Sequence, residues 1–81
     1  SMRAKVVTET EQELTDPPFC PNYTVVAVNA TGTAETLQSA DTQMGTFANI
    51  ATVQPGEAVE VVLDKPWVRL ADAGALILLA H

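Results

Sequence analysis

Short runs of alternating hydrophobic and polar residues fill most of the chain. In the clearest run, Ala58 to Leu63, the side chains of Val59 and Val61 share one face of an extended strand and Glu60 lies on the other. This two-residue period is typical of a half-buried strand in an antiparallel sheet. Comparable runs predict further strands over residues 23–30, 34–39, 47–53, 67–71 and 75–80. No stretch keeps the 3.6-residue period long enough for a helix.

Proline and glycine residues mark the corners between these runs. Pro55 fixes φ at the first central position of a turn and Gly56 accepts a positive φ at the second, which predicts a type II turn. Asp64-Lys65-Pro66 and Asp72-Ala73-Gly74 predict two more turns. The sequence therefore predicts an all-β fold, a small antiparallel β-sandwich or barrel of five to seven short strands.

The last run, Ala75 to Ala80, is apolar on both faces of the predicted strand. A sheet with one wet face does not require this pattern. The run is either the central strand of a sandwich or a strand whose outer face meets another subunit. A short helix is the alternative, because Ala and Leu favour helix. We expect the strand, and we expect Leu76 and Leu78 to contact a partner.

The first 22 residues follow a different pattern. Val6 and Val7 could pair as a short strand, but the stretch from Thr8 to Glu13 is polar on both faces. The Pro-rich segment 16–22 then interrupts regular structure, because proline lacks an amide donor and fixes φ. We therefore predict a flexible N-terminal arm over residues 1–22 and a β domain over residues 23–81.

Chain length and cysteine content limit how this domain is stabilised. At 81 residues, around 60–65% of the unfolded surface is buried on folding, so the core is thin. Cys20 is the only cysteine and His81 the only histidine, which leaves no internal disulfide and no ordinary four-ligand zinc site. Association of identical copies is the remaining common source of stability, so we expect a homo-oligomer.

The net charge of −6 bears on the kind of partner. Binding to nucleic acid needs a basic stripe, which the chain lacks. The longest wholly apolar run, 75–80, is far shorter than the roughly 18 residues that span a bilayer. We expect neither a nucleic-acid nor a membrane partner. An acidic inhibitor that blocks a basic protein is one alternative function.

Residues that could carry catalysis are isolated from one another in the sequence. Cys20 has no nearby base to generate its thiolate. Asp41, Asp64 and Asp72 fall in predicted turns, where aspartate caps local amides, and no calcium-loop spacing is present. We therefore expect no enzyme activity, no metal and no cofactor.

Trp67 and Arg69 share one face of their predicted strand, opposite Val68 and Leu70. Both residue types are enriched at binding hot spots. We expect Trp67 to point inward, because a domain of this size needs its area in the core. The alternative is a binding platform, in which Trp67 and Tyr23 would serve a carbohydrate-binding or adhesion module.

Several segments resemble small β-sandwich proteins of tailed-phage virions. The segments are Ala34 to Asp41, Gly45 to Val53, Pro55-Gly56, Val59 to Val61 and Trp67 to Leu70. They follow a general form: a strand, a Ser-x-Asp loop with Gly-Thr-aromatic, a strand ending in Pro-Gly, and an aromatic-Val-Arg segment. The pattern departs from this form at Asp41, which is not followed by Gly.

The resemblance implies a capsid decoration protein or similar small virion protein, non-enzymatic and homotrimeric, that stabilises a repetitive protein surface. Residues 3–22 would correspond to an arm that orders on the capsid. Localisation would be the virion, with assembly in the host cytoplasm, and an extracellular location is the alternative. The residues expected to contact a partner are Val6, Val7, Glu9, Glu11, Trp67, Arg69, Leu76 and Leu78.

Overall fold

The computed structural model describes residues 1–81 and contains only strands as regular elements. The strands are β1 (Arg3–Val7), β2 (Gln12–Glu13), β3 (Thr24–Val28), β4 (Glu35–Ala40), β5 (Ala48–Val53), β6 (Ala58–Val62), β7 (Trp67–Leu70) and β8 (Leu76–Ala80). No helix of the chain is long and apolar enough to cross a membrane. The predicted all-β class is confirmed, and β8 is a strand rather than the alternative short helix.

The strands form two four-stranded antiparallel sheets that pack as a β-sandwich. Sheet A has the order β1-β8-β3-β6 and sheet B the order β2-β7-β4-β5. The turn at Pro55 and Gly56 carries the chain from the edge of sheet B to the edge of sheet A. Gly56 has a φ of 75° there, the positive value that the predicted turn requires.

The core lies between the two sheets and is almost wholly aliphatic. Alternate residues of each strand point inward, so Leu76 and Leu78 of β8 share one buried cluster with Leu37 of β4 and Leu70 of β7. The other core residues are Val7, Leu14, Phe19, Val25, Ala27, Val53, Val61, Leu63, Val68 and Ala80. Burial of this apolar area is the main stabilising contribution available to the chain.

The N-terminal residues belong to the sandwich, which corrects the predicted division at residue 22. β1 pairs with β8 along its whole length, and β2 pairs with β7. Val7, Leu14 and Phe19 from this segment are buried in the core. The two additional strands make the total eight instead of five to seven. The segment is polar over residues 8–13 because it lies along the edge of the sandwich, where only isolated side chains are covered.

Candidate functional site

Neighbouring strands of sheet A align their outward side chains in rows. The rows are Val6, Ile77, Val28 and Ala58, then Ala4, Leu79, Val26 and Glu60, then Thr24 and Val62. Directly opposed residues on one face of an antiparallel pair lie in contact distance. The outer face of sheet A is therefore a continuous aliphatic surface whose one charged residue, Glu60, lies on the edge strand β6.

Two valines at opposite edges of this face are largely uncovered. Val6 of β1 is 54% exposed and Val62 of β6 is 61% exposed, while Ile77, Leu79, Val26 and Val28 between them are partly exposed. Contiguous apolar patches of this kind mark interaction surfaces in soluble proteins. Nothing in the folded chain covers the outer face of sheet A.

A cleft of about 520 Å³ opens at one end of this face. Val26 and Leu79 line it from the sheet, Tyr23 and Pro18 from the flanking loops, and Glu60 is its acidic member. Its volume is in the range of about 300–1,000 Å³ found for ligand pockets. The cleft continues the apolar surface of sheet A, and we treat the two as one site.

The backbone of the edge strand β6 is also free on one side. The backbone N–H of Asn29 donates to the backbone carbonyl of Glu57, and the backbone N–H of Leu63 donates to the backbone carbonyl of Tyr23. Because hydrogen-bonded and free residues alternate in an antiparallel pair, Val59 and Val61 bond to β3. The amides and carbonyls of Ala58, Glu60 and Val62 therefore point to solvent at the edge of sheet A.

The outer face of sheet B carries a different set of side chains. Trp67 lies opposite Ala40, Arg69 opposite Gln38, and Gln38 opposite Asn49. Thr36 and Thr52 form the next row and share a hydrogen bond of 3.0 Å between their hydroxyls. This face presents aromatic, amide, guanidinium and hydroxyl groups.

Arg69 connects most of these groups. Its Nε donates to Gln38 Oε1 at 2.9 Å, and Gln38 Nε2 donates to Asn49 Oδ1 at 2.8 Å. Its guanidinium carbon lies 4.1 Å from the centre of the Phe47 ring, and Nη1 lies 3.7 Å from Glu11 Oε2. The charge of Arg69 is thus balanced by Glu11, and its plane is held by stacking.

Ala40 is an outward-facing residue of sheet B that its neighbours cover. It is on the outer face, opposite Trp67, yet it is fully buried. Continuing the pairing of Ser39 with Ala48 by one residue places Phe47 on the other side of Ala40. Neighbouring groups on the outer face therefore cover Ala40, and Trp67 and Phe47 are the large side chains on either side of it.

A third group of polar side chains, at one end of the sandwich, is already internally bonded. Asn29 is fully buried and donates through Nδ2 to the carbonyls of Thr33 and Val53, while Thr31 donates to Asn29 Oδ1. Thr31 Oγ1 lies 2.9 Å from the buried carboxylate of Glu35. The amide of Asn29 has no free group, so this cluster anchors the loop between β3 and β4 rather than binding a ligand.

The predicted contact residues fall into three places. Val7, Leu76 and Leu78 are fully buried in the core, so they cannot contact a partner, and Val6, Ile77 and Leu79 occupy the outer face instead. Trp67 is partly exposed and outside the core, so the prediction that it fills the core is wrong. Glu9 is exposed in the loop after β1.

Glu11, Trp67 and Arg69, by contrast, meet on the outer face of sheet B. Tyr23 lies at the cleft on sheet A, so a single carbohydrate site that uses both Tyr23 and Trp67 does not form. The sequence interpretation missed Phe47, Gln38 and Asn49, because their places beside Arg69 depend on strand register. Strict alternation from the buried Val53 would place Asn49 on the inward face, and the β-bulge opposite Leu37 and Gln38 turns it outward.

The acidic residues do not gather on one face. Asp41 and Asp72 lie in loops at opposite ends of the sandwich, and Glu57 and Glu60 lie by the edge of sheet A. No group of three His, Cys, Asp or Glu residues is arranged to hold a metal ion. Cys20 is a partly exposed free thiol.

Comparison with known proteins finds no matching family model, no similar curated protein and no similar solved structure. The resemblance to phage virion proteins therefore stays a prediction.

Proposed function

We propose that this chain is a non-enzymatic structural protein whose copies associate through the outer face of sheet A. The observation that carries the proposal is the aliphatic surface of Val6, Ile77, Leu79, Val28 and Val62, which the folded chain leaves uncovered. Each copy that covers it removes apolar area from water, the main favourable term in association.

The dimensions of the molecule bear on the size of such an interface. The molecule extends 30 × 30 × 16 Å. A standard interface covers roughly 800 Å² on each partner, which is close to the product of the two long dimensions, so the interface would include the loops around the aliphatic rows. A small domain with a thin core also has the most to gain from association.

Charge favours a second copy as the occupant. Glu60 is the one charged residue in the rows of this face, and it lies on the edge strand. Two such faces can therefore meet without bringing like charges together at their centre. Charged residues are depleted from the cores of protein interfaces. The acidic-inhibitor alternative has no comparable support, because the acids are divided between the ends and edges of the molecule.

Light scattering of purified protein tests the association. We expect a mass that is a multiple of the 8.6 kDa chain, and we expect Val62→Glu to reduce it by burying a carboxylate in the interface. Thr52→Glu is the matched control, because Thr52 is an exposed residue on the edge strand of the other sheet. A monomeric mass for the unchanged protein at millimolar concentration contradicts the proposal.

The more specific form of the proposal is a trimeric capsid decoration protein located on the virion. It is supported by the sequence resemblance and by the free edge of β6, which could extend a sheet across to a neighbour. A symmetric assembly would multiply weak contacts to a repetitive surface. A major capsid gene beside this one is the expected genomic context, and a glycosidase or adhesin gene in that place would contradict it.

A further inference from the structure

We propose that the outer face of sheet B binds a neutral carbohydrate, with a sugar ring stacked on Trp67 and with the Phe47 ring holding the Arg69 guanidinium beside it. The hydroxyls of the sugar bond to the adjacent polar row of Arg69, Gln38 and Asn49. This site lies on the layer opposite the proposed association face, so it adds a second function rather than restating the first.

The distribution of aromatic residues is the first argument. The chain has one Trp, one Tyr and two Phe; Phe19 is in the core and Tyr23 is at the cleft on sheet A. The remaining two, Trp67 and Phe47, lie on the outer face of sheet B, where the Phe47 ring carries the Arg69 guanidinium and the partly exposed Trp67 is left for a ligand. A pyranose ring has an apolar face of C–H groups, and flat aromatic side chains are the surface that such a face covers.

Free hydrogen-bonding groups beside the rings are the second argument. Arg69 Nε donates to Gln38 Oε1, and Gln38 Nε2 donates to Asn49 Oδ1, which fixes the planes of these groups. Asn49 Nδ2 and Arg69 Nη2 donate to no group within the chain, and Glu11 Oε1 is also unpaired. Fixed planar groups with free donors and acceptors lose little conformational entropy when they bind vicinal hydroxyls.

Charge selects the ligand class. Glu11 balances Arg69, and the other members of these rows are uncharged. An anionic glycan would meet a chain with a net charge of −6, and single-stranded nucleic acid, which also stacks on aromatic rings, needs a basic groove that is missing. A neutral polyhydroxylated ligand is the class that fits.

Oligosaccharide titration tests the site. The probes are hexasaccharides of β-1,4-linked glucose, α-1,4-linked glucose and β-1,4-linked N-acetylglucosamine, with binding followed by calorimetry and by Trp67 fluorescence. We expect at least one probe to bind and to change the fluorescence. Trp67→Ala should weaken binding at least tenfold, whereas Phe47→Ala, which releases the Arg69 guanidinium, and Asn49→Ala should each weaken it severalfold.

Tyr23→Ala is the matched control, because it removes an aromatic ring from the opposite layer and should leave binding unchanged. Circular dichroism checks that each variant is folded. The proposal is overturned if none of the three probes binds at millimolar concentration, if Trp67→Ala binds as well as the unchanged protein, or if Tyr23→Ala abolishes binding. Val62→Glu should bind the sugar normally, so a failure of the association proposal remains distinguishable from a failure of this one.

Discussion

The two outer faces of the sandwich have the same strand geometry but carry different kinds of side chain. On sheet A the outward positions are mostly aliphatic, with Thr24 and Glu60 as exceptions, whereas on sheet B most are polar or aromatic and several bond to one another. The Val6–Ile77–Val28 row has nothing above it, while the Arg69–Gln38–Asn49 row is linked by hydrogen bonds of 2.9 and 2.8 Å. An aliphatic face is stabilised when a second copy covers it, whereas a face whose polar groups bond to one another can remain in contact with water.

The largest expected effect is the difference in stability loss between substitutions on the inward and outward sides of β8. Leu78 is fully buried, and Leu78→Ala should lower the free energy of unfolding by about 2–5 kcal/mol, since it leaves a cavity in the core. Leu79→Ala, on the outer face, should cost about 1 kcal/mol in the dissociated chain. Urea unfolding at low protein concentration measures both. Equal losses would mean that the inward and outward sides of β8 are assigned incorrectly.

A smaller effect is expected from breaking the network on sheet B. Arg69→Ala removes the bond to Gln38, the stacking on Phe47 and the pairing with Glu11, and should cost about 1–2 kcal/mol. Arg69→Lys keeps the charge but loses the planar contacts, so its stability should lie between those of the unchanged protein and of Arg69→Ala. Thermal unfolding ranks the three proteins. A lysine variant as stable as the arginine protein would show that stacking and planarity contribute nothing.

The smallest effect concerns the hydroxyl row of sheet B. Thr36 and Thr52 lie directly opposite, and their exposed hydrogen bond should be worth about 0.5 kcal/mol or less. A double-mutant cycle with Thr36→Val and Thr52→Val isolates that coupling. A coupling above about 1 kcal/mol would mean that this face is more rigidly bonded than an exposed cross-strand pair should be.

The fold was largely predictable because six strands carry alternation or end at Pro and Gly corners. The place of residues 1–22 in the sandwich was not predictable. Val7, Leu14 and Phe19 are separate apolar residues in a polar segment, and a two-residue strand has no period to detect. Each is buried only because distant strands lie over it, which is information that local sequence does not contain.

The site was predictable in part. Residues two apart on a strand share a face, so Trp67 and Arg69 were expected together. Glu11 and Phe47 join them through the pairing of β7 with β2 and the loop before β5, and these pairings depend on register. In β8, both faces are apolar, so the pattern alone could not decide whether Leu76 and Leu78 or Ile77 and Leu79 point inward. The register with β3 decides it.

Thiol labelling compares the two faces most directly. In a Cys20→Ser background, Val62→Cys places a thiol on the outer face of sheet A and Thr52→Cys places one on the outer face of sheet B, both at exposed edge-strand positions. If copies cover sheet A, the thiol from Val62→Cys should react at least tenfold more slowly than the other at high protein concentration, and the difference should vanish on dilution. Equal labelling rates at every concentration would contradict the account.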